Sequence, residues 1–177
     1  MLDIVNVLDK MPPPQSEDER EERLIEGLQL LAYGIGHYFS LRHDEVAIQV
    51  VSNDRDSLRF VIPQKLYRNT FPVDGQSIAG STVVMKKIMC HNRMVRIKRL
   101  SFYEKIKTVG VKPLAIQKMA TIPVEFGDEV VGVIQLSRRA ETLEEAGPDF
   151  KEADLDHIKP FLGSIAQLII DCRPSDF

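Results

Sequence analysis

The run Thr121-Ile122-Pro123-Val124-Glu125-Phe126-Gly127-Asp128-Glu129-Val130-Val131-Gly132-Val133-Ile134-Gln135-Leu136 decides the fold class of this chain. Two apolar segments of strand length meet at Gly127-Asp128, a dipeptide that supplies the positive φ angles of a tight hairpin at little steric cost. The spacing predicts antiparallel strands over 114–126 and 129–136.

Other elements follow on either side. Met11-Pro12-Pro13-Pro14-Gln15 closes an extended N-terminal tether over residues 1–15, because consecutive prolines fix φ and remove amide donors. Ser16 and Glu19 match a capping box, with Glu17 and Asp18 at the positive end of the helix dipole. Leu24, Leu28, Leu31, Ile35 and Tyr38 then trace one helical stripe. Gly27, Gly34 and Gly36 weaken it by about 1 kcal/mol each relative to alanine, and mark either close packing of the helix or an early end near Gly36. Residues 45–51 alternate as a strand, 58–62 return as a second that stops at Pro63, and 64–75 read as loop. A short helix is expected over 78–87, a third strand over 89–97, and a brief helix or loop over 102–107. Residues 140–149 form an acidic loop. Leu155, Ile158, Leu162, Ile165 and Ile169 mark a closing helix that Pro160 would kink. Strands joined by hairpins and covered by helices argue for an α+β layout.

Upstream of the hairpin stands Gly75-Gln76-Ser77-Ile78-Ala79-Gly80-Ser81, and downstream Asp149-Phe150-Lys151-Glu152-Ala153-Asp154-Leu155 opens a helix. In this order and spacing the three pieces resemble the GAF family of small-molecule-sensing domains, over roughly residues 20 to 170. The resemblance implies a central, mainly antiparallel sheet with the terminal helices on one face and a ligand pocket on the other. The domain would span 16–172, leaving 173–177 as a C-terminal tail.

The chain has 177 residues, 44% hydrophobic and 28% charged, with a net charge of −3. That composition is ordinary for one soluble domain and names no charged partner. Two cysteines, Cys90 and Cys172, are too few for a disulfide framework, and no Cys-x-x-Cys spacing exists. Reduced thiols and a cytoplasmic location are expected. Leu2–Leu8 lacks the basic flank of a secretory signal, and no apolar run is long enough to span a bilayer.

Charge is uneven along the chain. Between Lys86 and Lys118 stand ten basic residues and one acid, Glu104, whereas both ends are acidic. In the GAF family this middle region walls and covers the pocket, so the resemblance implies a basic lid that favours an anion. Arg96, Lys98 and Lys105 would meet the charge, Phe102 or Tyr103 would stack on a ring, and Thr121 would contribute from the hairpin. The alternative is a solvated basic surface that complements the acidic ends, within the protein or across a dimer. The same bases, interleaved with apolar and aromatic side chains, have the composition of a nucleic-acid surface, but no nucleic-acid motif accompanies them.

Several chemistries of the family are not matched. Cys90-His91 is similar to the pair that anchors bilin in photoreceptor members, but lies at the start of the third strand rather than before the hairpin. The Asn-Lys-x-Asp-Glu type of signature of cyclic-nucleotide-binding members is absent: Arg93 and Met94 follow Asn92. His37, His43, His91 and His157 have no metal-ligand spacing, and Ser77 reads as a helix cap rather than a nucleophile. Free-methionine-sulfoxide reductases of the family use several cysteines, and the relevant half of this chain holds only Cys90. The expectation is a non-enzymatic regulatory domain in a signalling protein, with no cofactor assigned. A reductase using Cys90 and a ligand-free interaction scaffold stand as alternatives. The stripes on both terminal helices suit sheet packing, and also a homodimer through a helical bundle.

Overall fold

The structure, a computed structural model, describes Val7, Lys10 and residues 13–94 and 114–177. Helix α1, Glu17–Tyr38, starts where the charge pattern places it: Ser16 Oγ accepts from Glu19 N at 3.2 Å. The Glu19 carboxylate reaches the amide of Gln15 at 2.7 Å rather than that of Ser16, so the reciprocal half of the box is offset by one residue. Leu24, Leu28, Leu31 and Ile35 are fully buried. The helix passes Gly36 and ends at Tyr38, which points outward; Phe39, just past the helix, packs inward in its place.

Strands β1 (Val46–Val51) and β2 (Ser57–Ile62) pair antiparallel across the polar turn. The segment expected as loop over 64–75 contains a single helical turn, Gln64–Leu66, and a short strand β3, Thr70–Pro72, laid along β2. Proline at the end of an edge strand costs no ladder hydrogen bond, so this composition still permits pairing. Helix α2, Ile78–Met85, is capped by Ser77, whose Oγ accepts from Gly80 N at 2.9 Å.

Strand β4 is Met89–His91, shorter than expected. Asn92 ends it by clasping the main chain of Phe150, accepting from its N and donating to its O, both at 2.9 Å. Residues 92–94 of the expected third strand are not strand, and its residues 95–97 and the segment over 102–107 lie outside the described residues.

The hairpin is β5 (Ala115–Phe126) and β6 (Glu129–Ala140), four residues longer at its end than the apolar run suggested. Only Gly127, at φ +60°, takes a positive φ, the placement that a turn with glycine at its first central position requires. The closing helix is divided into α3, Glu152–Leu155, and α4, Lys159–Cys172. Pro160 lies in the first turn of α4 rather than at a kink, because its missing N–H has no intrahelical acceptor there.

Six strands form one antiparallel sheet in the order β3-β2-β1-β6-β5-β4. Helices α1 and α4 cover one face, over Val46, Ile48, Val50, Ala120, Ile122, Val124, Ile134 and Leu136. The other face has its own apolar cluster, with Ala47, Val51, Phe60, Met119 and Val133 beneath Ile78 and Ala79 of α2. Strand β1 is buried along its whole length because both faces are covered.

Residues 173–177 fold back on the domain. Phe177 is 3% exposed and lies beneath the guanidinium groups of Arg59 and Arg68. Asn53 N donates to Phe177 O at 2.8 Å, its side chain donates to the carbonyls of Pro174 and Ser175, and Arg173 reaches Val51 O.

Candidate functional site

Alternation along a strand assigns each side chain to a face. On β1 the helix layer takes Val46, Ile48 and Val50, so Gln49 points with Ala47 and Val51 to the face away from α1 and α4. Residues opposite one another across an antiparallel pair share a face, and Ala47 opposes Gln135, which opposes Thr121, which opposes Met89. One continuous row thus crosses β1, β6, β5 and β4. Gln49 lies diagonally beside it, and His91, two residues along from Met89, shares the same face.

This row is a polar strip in an apolar floor. Gln49, Thr82 and Thr121 are fully buried, and Gln135 is 3% exposed. Thr82, on α2, comes down to meet Thr121, oxygen to oxygen, at 2.6 Å. Thr82 Oγ1 also lies 2.9 Å from Ile78 O, which can only accept. The single hydroxyl hydrogen of Thr82 therefore goes to Ile78, and Thr121 donates to Thr82. Thr121 Oγ1 is left with acceptor capacity only.

The two glutamines share one hydrogen bond, Gln49 Nε2 to Gln135 Oε1 at 3.4 Å. Gln49 Oε1 and Gln135 Nε2 are buried with no partner among the described residues, as is His91 Nε2. Burial holds His91 below the usual imidazole range and so keeps it neutral. A buried polar atom without a partner costs about 1–3 kcal/mol, so each one in a native structure calls for a physical explanation.

Of the residues expected to bind ligand, Thr121 is in this strip. Arg96, Lys98, Phe102, Tyr103 and Lys105 lie outside the described residues. The described bases of the middle segment are directed elsewhere. Lys118 points to the helix-side end of the sheet, where Nζ meets Gly147 O at 2.6 Å and Asp149 Oδ1 at 2.7 Å. Lys86 caps α2 in a left-handed conformation and donates to Asp128 O. Lys86 and Lys87 line a cleft of about 530 Å³ at the β4 edge, with Ile88, Pro123, Glu152, Lys159 and Leu162. Arg93 is exposed, and its charge, with that of Lys118, helps hold the Asp149 carboxyl below its ordinary value.

Gln49, Gln135, Thr82 and His91 were not singled out as ligand residues by the sequence. The one available signal was Gln49 alternating with Ala47 and Val51, and a glutamine there reads equally as a solvated face.

Cys90 opposes Ala120, and its side chain packs against the helix-side cluster. It therefore points away from the polar strip. Burial pushes its thiol up, reinforced by Glu152 and Asp154, which disfavours the nucleophilic thiolate. Among the described residues no cluster of His, Cys, Asp or Glu could hold a metal ion. No helix among them is long and apolar enough to cross a membrane.

No family model matches the chain, and no curated protein is similar to it in sequence. Solved structures do match. The GAF domain of a phosphoenolpyruvate-protein phosphotransferase from Coxiella burnetii superposes with a TM-score of 0.70 at 11% identity, over 97% of this chain and 91% of that one. The corresponding GAF domain from Acinetobacter gives 0.69 at 11% identity, over 96% and 89%. A type II free methionine-R-sulfoxide reductase from Thermoplasma acidophilum gives 0.64 at 13% identity, over 86% and 96%. The chain has the GAF fold, with the α+β architecture that the hairpin and its flanks predicted.

Proposed function

We propose that the chain is a regulatory domain of a cytoplasmic signalling protein that binds a small molecule non-covalently on the sheet face opposite α1 and α4. The observation that carries this reading is the buried strip of Gln49, Gln135, Thr121 and Thr82, with two amide atoms unpartnered in an apolar surround. A purely structural face would gain stability from apolar residues at these positions. A negative charge on the ligand would be met by Arg96, Lys98 or Lys105, since Lys86, Lys87 and Lys118 are engaged or turned elsewhere.

The domain works as a homodimer through its terminal helices in this reading. Leu30 and Tyr33 stand exposed on α1, 43% and 62%, on the side away from the sheet. Ligand binding would shift the helix arrangement only to the extent that its affinity differs between the two arrangements.

Catalysis is not part of the proposal. The likeness to a reductase is one of fold, and Cys90 is turned into the helix layer with its thiol held protonated.

Native mass spectrometry of the purified protein tests the reading. A dimer carrying an additional small-molecule mass, lost on mild activation, is the expected result. A bare dimer whose melting temperature is unmoved by a metabolite library would instead make it an interaction scaffold.

A further inference from the structure

Two glutamines that share one hydrogen bond always leave one carbonyl oxygen and one NH2 group unmet. Exchanging the oxygen and nitrogen of both amides reverses the direction of the bond but leaves the same pair over. Here that pair is buried, and both side chains stand on one face of neighbouring strands. The cross-strand partners of Gln135 are Ala47 and Thr121, both small. The hydroxyl hydrogen of Thr121 is committed to Thr82, so its oxygen adds a second acceptor. Among the described residues, the strip of Gln49, Gln135, Thr121 and Thr82 itself contains no carboxylate, lysine or arginine.

We infer that the Gln49–Gln135 pair reads a neutral ligand edge with N–H and C=O side by side, the edge of a cyclic amide or cyclic urea. The inference rests on the ligand-binding reading given above and names the chemistry of that site. The ligand N–H donates to the free glutamine carbonyl, its C=O accepts from the free NH2, and a second N–H can reach Thr121 Oγ1. An anionic head, which only accepts, would satisfy the NH2 and leave both acceptors stranded. Any charge the ligand carries is thus at its far end, away from the strip.

The probes are uracil and 2-piperidone, with 1,3-dimethyluracil as a ring of similar shape without an N–H. Saturation-transfer NMR on the intact protein is expected to show both lactams bound and the dimethyl compound unbound, with uracil shifting a glutamine side-chain NH2 resonance. The double variant Gln49→Met, Gln135→Met is expected to weaken uracil at least tenfold, and to melt no lower than ligand-free wild type because it strands no amide atoms. Equal binding of 1,3-dimethyluracil, undiminished uracil binding by the variant, or a lower melting temperature in the folded variant would each overturn the inference. So would failure of both lactams to bind wild type. If native mass spectrometry then still finds another small molecule on the protein, only this assignment falls; a protein that binds nothing removes the functional proposal as well.

Discussion

Lys118 is 6% exposed, opposite Arg138 of β6, and its ammonium is met by Asp149 at 2.7 Å and by Gly147 O. The hydrogen bond from Lys118 holds the Asp149 carboxyl below its ordinary value of 3.8. A depressed carboxylate contributes stability that is complete above that ordinary value and fades as pH falls through the folded-state value. Wild type should therefore lose stability on acidification below pH 3.8 more steeply than Asp149→Asn, and at neutral pH the variant should be the less stable. Urea denaturation at a series of pH values measures both; parallel curves would contradict the linkage. Thr121 was readable as a candidate site residue from the hairpin alone. Gln49 and Gln135 were not, because one lies in β1 and the other in β6, and only the pairing of those distant strands makes them neighbours. Of the basic segment, Arg96, Lys98 and Lys105 lie outside the described residues. Charge density along a chain does not specify direction, and Lys118, by strand alternation, emerges on the side opposite Thr121.

The hairpin shows how secondary structure and layer packing constrain each other. A Cβ added at Gly132 would lie 2.9 Å from Gln49 O and 3.0 Å from Ile169 Cδ1, so β6 could not keep its distance from both β1 and α4. Gly132→Ala should destabilise the domain by about 1–3 kcal/mol, the range for forced overpacking, seen as a lower denaturant midpoint. An unchanged midpoint would show that α4 can slide to accommodate the methyl group. The elements visible in the sequence were those with a strong period or a specific cap: α1 from Ser16, the β1–β2 alternation, and the Gly127 turn. Strand β3 was hidden because three residues ending in proline have no period of their own and are recruited by β2. The division between α3 and α4 was hidden because the apolar stripe continues across it: Leu155, Ile158, Ile165 and Ile169 all face the sheet. Asn92 was considered only as a missing ligand signature, yet it fastens β4 to Phe150 with two hydrogen bonds.

As a molecule, the domain is a sheet with two differently built faces. The helix face is built on an apolar cluster closed by α1 and α4, with Lys118 and Arg138 at its end, whereas the opposite face carries the polar strip. Self-association through the outward side of α1 predicts that Leu30→Glu with Tyr33→Glu yields a folded monomer, since neither side chain contributes to the core. Light scattering after size exclusion would show a halved mass with unchanged circular dichroism; a variant that stays dimeric would move the contact elsewhere. The return of residues 173–177 has a mechanical corollary. Traction on the chain past α4 would be borne by Arg173 on Val51, by Asn53 in the β1–β2 turn, and by Arg59 and Arg68 over the Phe177 ring. Motion of α4 is thereby geared to that turn, so a rotation of the helix layer cannot leave the far margin of the sheet at rest.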